Sequence, residues 1–300
     1  MNTAIAKSIP EYLEQLRAAL LGSDPALVQD ALYDAEDYLR SEWAEHPEMD
    51  EASLLASIAG SYGAPSEVAD IYRDTEVTVH RALRAPPPKP RVSAAGRLFG
   101  VLADPHAYTS VLYLLLSLVT GIFYFTWVVV GMSLSASLAV LVIGIPFTIL
   151  FFASVRGLSL VEGRLVEVML GERMPRRPLY TDRERPILER IKTVFLDPRT
   201  WSTLVYMVLM MPLGVVYFTF IVVALSLTFA TAALPVLETF GDHNHLYWFG
   251  EQIHLPLWSL PITLAIGLLM LILTLHAARG LGALQATLAK HQLVKSARQQ

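Results

Sequence analysis

The densest set of potential ligands in the chain is Asp242-His243-Asn244-His245, with Glu251 and His254 further on. Neutral imidazoles and carboxylates bind zinc or copper, and histidines respond to acidification near neutral pH. The spacing matches no metal site with a defined pattern, and Tyr247, Trp248 and Phe249 lie beside it. The preferred reading is therefore a set of solvated loop histidines next to aromatic residues at a membrane interface. His243, His245 and His254 stand behind it as candidate metal ligands. Nucleophilic chemistry has even less to work with. The chain contains no cysteine, which removes thiolate metal sites, iron–sulfur clusters, disulfides and cysteine nucleophiles together. It has no Walker loop, dinucleotide fingerprint, Gly-x-Ser-x-Gly elbow or His-Glu-x-x-His, so the expectation is a protein that is not an enzyme and uses no cofactor.

The elements that carry these residues are set by where charge is missing. Apolar residues make up 54% of the 300 and charged residues only 17%, with a mean hydropathy of +0.46. Such a composition points to a membrane protein. No Lys, Arg, Asp or Glu occurs between Asp104 and Arg156. That run is too long for one span of about 20 residues and fits two, near Val111–Val130 and Leu138–Val155, turning at Gly131-Met132-Ser133. Further uncharged runs at Thr200–Leu237 and Gln252–Ala278 supply the other two, the last near Trp258–Leu275. Ten Lys and Arg residues lie from Arg156 to Arg199 and none from Pro235 to Trp258, so the connecting segment is expected in the cytoplasm. Both termini then share that side of a bacterial inner membrane. The first eighty residues lack the charged-then-apolar pattern of a signal peptide.

The membrane part is repeated. Val101–Leu134 placed over Val194–Leu227 gives thirteen identities in thirty-four ungapped positions, a strong sign of internal duplication. Each copy has Asp-Pro, then Gly-x-x-Tyr-Phe-Thr, and each second span ends in Arg-Gly-Leu, at Arg156-Gly157-Leu158 and Arg279-Gly280-Leu281. Both copies start and end on one side, so they are parallel repeats, with an extracytoplasmic insertion at about 235–258 in the second. Gly121 and Gly214 are expected to let the two first spans approach closely. Tyr124, Phe125 and Thr126, with Tyr217, Phe218 and Thr219, then become the candidate contacts for a lipid or apolar ligand between the repeats. The polar residues in the spans, such as Ser117, Thr120, Thr148, Thr203 and Thr274, carry no charge, which argues against ion-coupled transport. Amphipathic flanks follow, with Ile187, Ile191, Val194 and Phe195 among Arg190 and Lys192 before the third span and Leu158, Val161, Leu165, Val168 and Met169 among Glu162, Arg164 and Glu167 after the second. They fit helices lying in the headgroup region. The second flank fits equally well as a continuation of its membrane helix.

Residues 1–84 differ in character, with sixteen acidic side chains against six basic ones. Four short helices are predicted, starting at the Ser8…Glu11 capping box, at Asp24-Pro25, near Asp50 and at Pro65. An acidic surface disfavours direct contact with nucleic acid. It favours a basic protein surface, including the chain's own Arg173–Arg185 segment. Residues 85–93, with Ala85-Pro86-Pro87-Pro88-Lys89-Pro90, form a semi-rigid spacer. Residues 94–186 and 187–300 hold the two membrane repeats, and the whole is expected to be all-α.

Pro10-Glu11-Tyr12-Leu13-Glu14-Gln15-Leu16, Ala31–Leu39 and Tyr62-Gly63-Ala64-Pro65-Ser66-Glu67-Val68-Ala69 resemble the HAAS signalling domain, a helical module associated with PadR-type transcription regulators. Residues about 95–290, with Asp-Pro-x-x-Tyr/Trp, Gly-x-x-Tyr-Phe and Arg-Gly-Leu in both halves, resemble the four-helix sensor domain at the N-terminus of some bacterial histidine kinases. The chain departs from the kinase case by ending at Gln300, which leaves no room for a phosphoacceptor helix. The resemblance implies a sensor or signal transducer in contact with membrane lipids. Its head would bind a cytosolic protein such as a PadR-like regulator, or a second copy in a homo-oligomer. A lipid-organising oligomeric scaffold and a small transporter or channel are the alternatives.

Overall fold

A computed structural model describes residues 6–58, 60–83, 94–138, 144–177, 196–240, 247, 248, 251, 252 and 256–294. The chain is α-helical there apart from one two-residue antiparallel ladder, Tyr247–Trp248 with Glu251–Gln252. His243, His245 and His254 lie outside the described residues, so the candidate metal loop has no structural account.

The acidic head is built from α1 (Ile9–Ala19), α2 (Pro25–Glu45), α3 (Glu51–Ile58) and α4 (Pro65–Leu83). Ser8 caps α1 by accepting from the Glu11 N–H at 3.3 Å. Glu11 Oε2 in turn accepts from the N–H of Lys7 at 2.8 Å, one residue outside the capping-box position. Asp24 caps α2 through the Ala26 N–H at 2.8 Å, and Pro25 follows where a missing N–H costs nothing. The apolar faces of these helices meet in one core that includes Ile9, Leu16, Leu20, Leu39, Leu54 and Ala69. Each large aliphatic side chain buried there contributes about 2 kcal/mol. Long-range hydrogen bonds then fix the packing: the Ile9 N–H donates to Glu51 Oε1 at 2.6 Å, and the Tyr12 hydroxyl to the Gly63 carbonyl at 2.9 Å. Gly63 sits at φ 105°, a conformation that suits glycine in the turn before α4. Burial raises the Tyr12 pKa well above the ordinary phenol value and that of Tyr62 to about 12, so both stay protonated.

A short helix, α5 (Ala94–Phe99), and a 3₁₀ turn lead to α6 (Pro105–Leu138), followed by α7 (Gly144–Leu170), α8 (Pro198–Phe240) and α9 (Leu260–Leu293). All four of these last helices contain a stretch long and apolar enough to cross a membrane. The predicted turn at Gly131–Ser133 is instead helical, and α6 continues to Leu138. The reason is local: Gly131 lies against the ring of Phe151, where any Cβ would collide, so this glycine serves helix contact rather than chain reversal. The flank after the second span is not a separate interfacial helix, because α7 runs unbroken through it to Leu170. The flank at 187–195 lies outside the described residues.

The chain divides into two compact units, Met1–Pro86 with Val128–Tyr206 and Ala286–Gln300, and Pro87–Trp127 with Met207–Gln285.

Candidate functional site

The first unit contains a cluster of charge that is buried at its centre and exposed at its edge. Helix α7 ends at Leu170, and Gly171, at φ 74°, turns the chain back on itself. Met174 is then fully buried, its Cβ in van der Waals contact with the position of Gly163, and this anchors the arginines around it. Arg173 is 5% exposed and faces three carboxylates. Its Nη2 lies 3.2 Å from Asp30 Oδ2, its Nη1 3.2 Å from Glu167 Oε1 and its Nε 3.4 Å from Glu76 Oε2. Arg176 Nη2 shares Glu167 Oε1 at 3.0 Å, and Arg164 Nη1 meets Glu167 Oε2 at 3.0 Å. Arg177 Nε pairs with Asp34 Oδ1 at 3.0 Å, with its guanidinium over the Tyr33 ring at 5.8 Å.

Asp30 does more than pair with charge. Its Oδ1 accepts from the backbone N–H of Arg176 at 2.7 Å and of Arg177 at 2.9 Å. Gln29 beside it donates from Nε2 to the Arg177 carbonyl at 2.7 Å, so α2 holds the arginine segment by its backbone as well as its charges. Four carboxylates and four guanidiniums make these pairings. The balance permits burial, since a single unpaired charge would cost several kcal/mol. Burial still raises the Asp30 pKa above the ordinary carboxyl value; the two N–H donors and Arg173 oppose this, and Asp34 adds to it. Lys290 on α9 adds a second tie, with Nζ 2.6 Å from both Asp24 Oδ2 on the head and Glu172 Oε1.

Sequence reasoning named the polybasic segment as a possible partner of the acidic head, and Arg173, Arg176 and Arg177 fill that role. It missed the residues that receive them. Asp30 interrupts the apolar face of α2 between Leu27 and Ala31, a signal that was legible. Glu162 and Glu167 were assigned to the polar side of an amphipathic flank, yet they are 1% and 2% exposed while Val161 and Val168 are 53% and 71% exposed. The flank turns its carboxylates inward. Glu162 Oε1 accepts from the Tyr206 hydroxyl at 2.9 Å.

The duplicated motifs pair with each other across copies. In the second unit Asp104 of the first copy meets Arg279 of the second at 2.5 Å. In the first unit Asp197 of the second copy faces Arg156 of the first at 3.8 Å. Each Asp-Pro aspartate thus answers the other copy's Arg-Gly-Leu arginine. The helix crossing is equally reciprocal: a Cβ on Gly121 would strike the Met210 carbonyl, and one on Gly214 would strike the Ser117 carbonyl. Positions 117 and 210 are themselves repeat partners, as two-fold-related contacts require. Gly121–Val128 and Gly214–Ile221 also share one burial pattern. In both copies the glycine and tyrosine (Tyr124, Tyr217) are buried, the phenylalanine (Phe125, Phe218) half-buried and the threonine (Thr126, Thr219) exposed. The Tyr217 hydroxyl donates to the fully buried Gln285 at 3.1 Å, and Gln285 donates to Met210 Sδ at 3.0 Å. Sequence reasoning missed Gln285, because helix α9 carries it well beyond the predicted span.

No group of three or more potential metal ligands occurs among the described residues. Four membrane-length helices with duplicated, reciprocally paired motifs define a polytopic helical membrane protein. Residues 113–293, more than half of the chain, match the family described as Putative sensor, and the chain belongs to that family. The match includes α7, α8 and α9 and most of α6, and leaves the acidic head outside it. No curated protein and no solved structure matches the chain.

Proposed function

We propose that the protein is a non-enzymatic transducer of the bacterial inner membrane, with both termini in the cytoplasm, whose acidic head is held by the Arg173–Arg177 segment and released by a change in the membrane helices. One observation carries the reading. The segment that holds Asp30 is the direct continuation of α7, so any shift of that helix acts on the grip without an intermediate. Release would expose Asp30 and Asp34 on α2, an acidic face suited to a basic protein surface. The likeness of the head to HAAS modules makes a PadR-like regulator the partner to try first. The excess of arginine between the second and third spans supports the cytoplasmic placement.

The test compares gene expression in cells carrying the full-length protein, the deletion of residues 1–83, and Arg173→Ala. Deletion is expected to abolish the response, and Arg173→Ala to fix it in the released state without the membrane cue. Identical expression profiles in all three would rule out a transducing head.

A further inference from the structure

The looser of the two repeat-related ion pairs lies beside a cavity. Its walls, all in the first unit, include Gln29, Arg156, Ser159, Asp197, Arg199 and Thr200. In the second unit the equivalent pair, Asp104 with Arg279, is closed at 2.5 Å. There, Ala107 occupies the place that Thr200 takes in the other copy, and it is fully buried against Val101, Ile272 and Leu275. His106 stands where Arg199 stands. The second copy thus carries a hydroxyl and a guanidinium where the first has an apolar contact and a histidine, and its Asp–Arg pair stands at 3.8 Å.

The polar atoms around this cavity are only partly satisfied. Arg199 donates from Nη2 to the Leu293 carbonyl at 2.5 Å, while its buried Nη1 has no hydrogen-bond partner among the described residues. Thr200 is 5% exposed, and its hydroxyl likewise has none. Gln29 spends Nε2 on the Arg177 carbonyl, which leaves its buried Oε1 as an unmet acceptor. Buried polar groups left unpaired cost about 1–3 kcal/mol each, so three of them among the residues lining this cavity ask for an occupant. Two guanidiniums face one carboxylate, which leaves one net positive charge. Arg156 is the first charged residue after one apolar run and Arg199 the last before the next, the depth at which lipid phosphates lie.

We propose that this cavity binds a singly charged phosphate carrying a hydroxyl. Arg156 and Arg199 meet its charge, Thr200 accompanies them, and the Gln29 carbonyl accepts from the hydroxyl. The headgroup of phosphatidylglycerol and free dihydrogen phosphate share this chemistry. The site goes beyond the transducer reading and stands without it.

Full-length protein in an uncharged detergent is titrated with inorganic phosphate. In parallel, its thermal midpoint is compared in phosphatidylcholine nanodiscs with and without phosphatidylglycerol. Binding in the titration identifies free phosphate as a ligand, and stabilisation only by phosphatidylglycerol identifies the headgroup. In either arm Arg199→Gln is expected to weaken the effect about tenfold and Thr200→Val about threefold, as loss of one charge-assisted or one neutral hydrogen bond implies. Arg279→Gln, the repeat equivalent of Arg156 in the closed pair, should leave it unchanged. Thr200→Val keeps the side-chain shape and so decides the matter if Arg199→Gln does not fold. No effect in either arm, or equal effects of Thr200→Val and Arg279→Gln, would overturn the assignment.

Discussion

Asp30 does two jobs that substitution can separate. Its Oδ1 satisfies two backbone N–H groups, and its charge answers Arg173. Asp30→Ala removes both and should destabilise the head–arginine contact by about 3 kcal/mol or more, since buried donors are left bare. Asp30→Asn keeps an acceptor, and Arg173 retains Glu167 and Glu76. That variant should be neutral or slightly stabilising, as replacements of buried ion pairs often are. The pH dependence follows from the raised Asp30 pKa. An acid whose pKa rises on folding holds its proton more tightly in the folded state. Its contribution to stability therefore falls as pH climbs from the unfolded value, about 4, through the folded value, and is flat above. Thermal midpoints of Asp30→Asn and the parent in detergent should differ most, in favour of the variant, near neutral pH and converge on acidification. A gap that widens in acid would mean that Asp30 is stabilised as the anion. Arg173→Ala removes the charge that faces buried Asp30 and should cost about 3–5 kcal/mol on the same assay.

Glycines separate two roles among the helices. Gly121 and Gly214 touch backbone carbonyls of the facing helix, so either changed to Ala forces the backbones apart. The loss should reach several kcal/mol and show as reduced yield of monodisperse protein. The Arg-Gly-Leu glycines, Gly157 and Gly280, have nothing within 4 Å of a Cβ. Alanine there should be neutral or stabilise by up to about 1 kcal/mol through better helix propensity. Apolar runs and matched motifs made the helices and the duplication legible in the sequence. The turn was misplaced because a glycine that packs against Phe151 looks, in sequence, like a glycine that reverses the chain.

At the scale of the molecule, the buried core of the head is drawn from residues 6–69. Residues 1–83 expressed alone should therefore be helical by circular dichroism. Their Asp30 should titrate lower than in the full-length protein, because contact with residues 173–177 adds to its burial. An unshifted Asp30 in the full-length protein, measured the same way, would contradict the buried contact. Deleting the head should leave membrane insertion of the remainder intact, measured by fractionation, because four apolar stretches suffice for it.

The sequence by itself determined the four spans, the parallel duplication and the acidic head. Apolar length, charge spacing and repeat offset are written along the chain and need no knowledge of what touches what. Only the tertiary structure decided the partners: Asp30 with Arg173, Asp104 with Arg279, Tyr206 with Glu162. Periodicity marks which face of a helix is polar, but whether that face meets water or a matching charge far away in sequence depends on packing. For Glu162 and Glu167 the packing supplies donors, and two carboxylates expected at the surface become the most buried acids among the described residues.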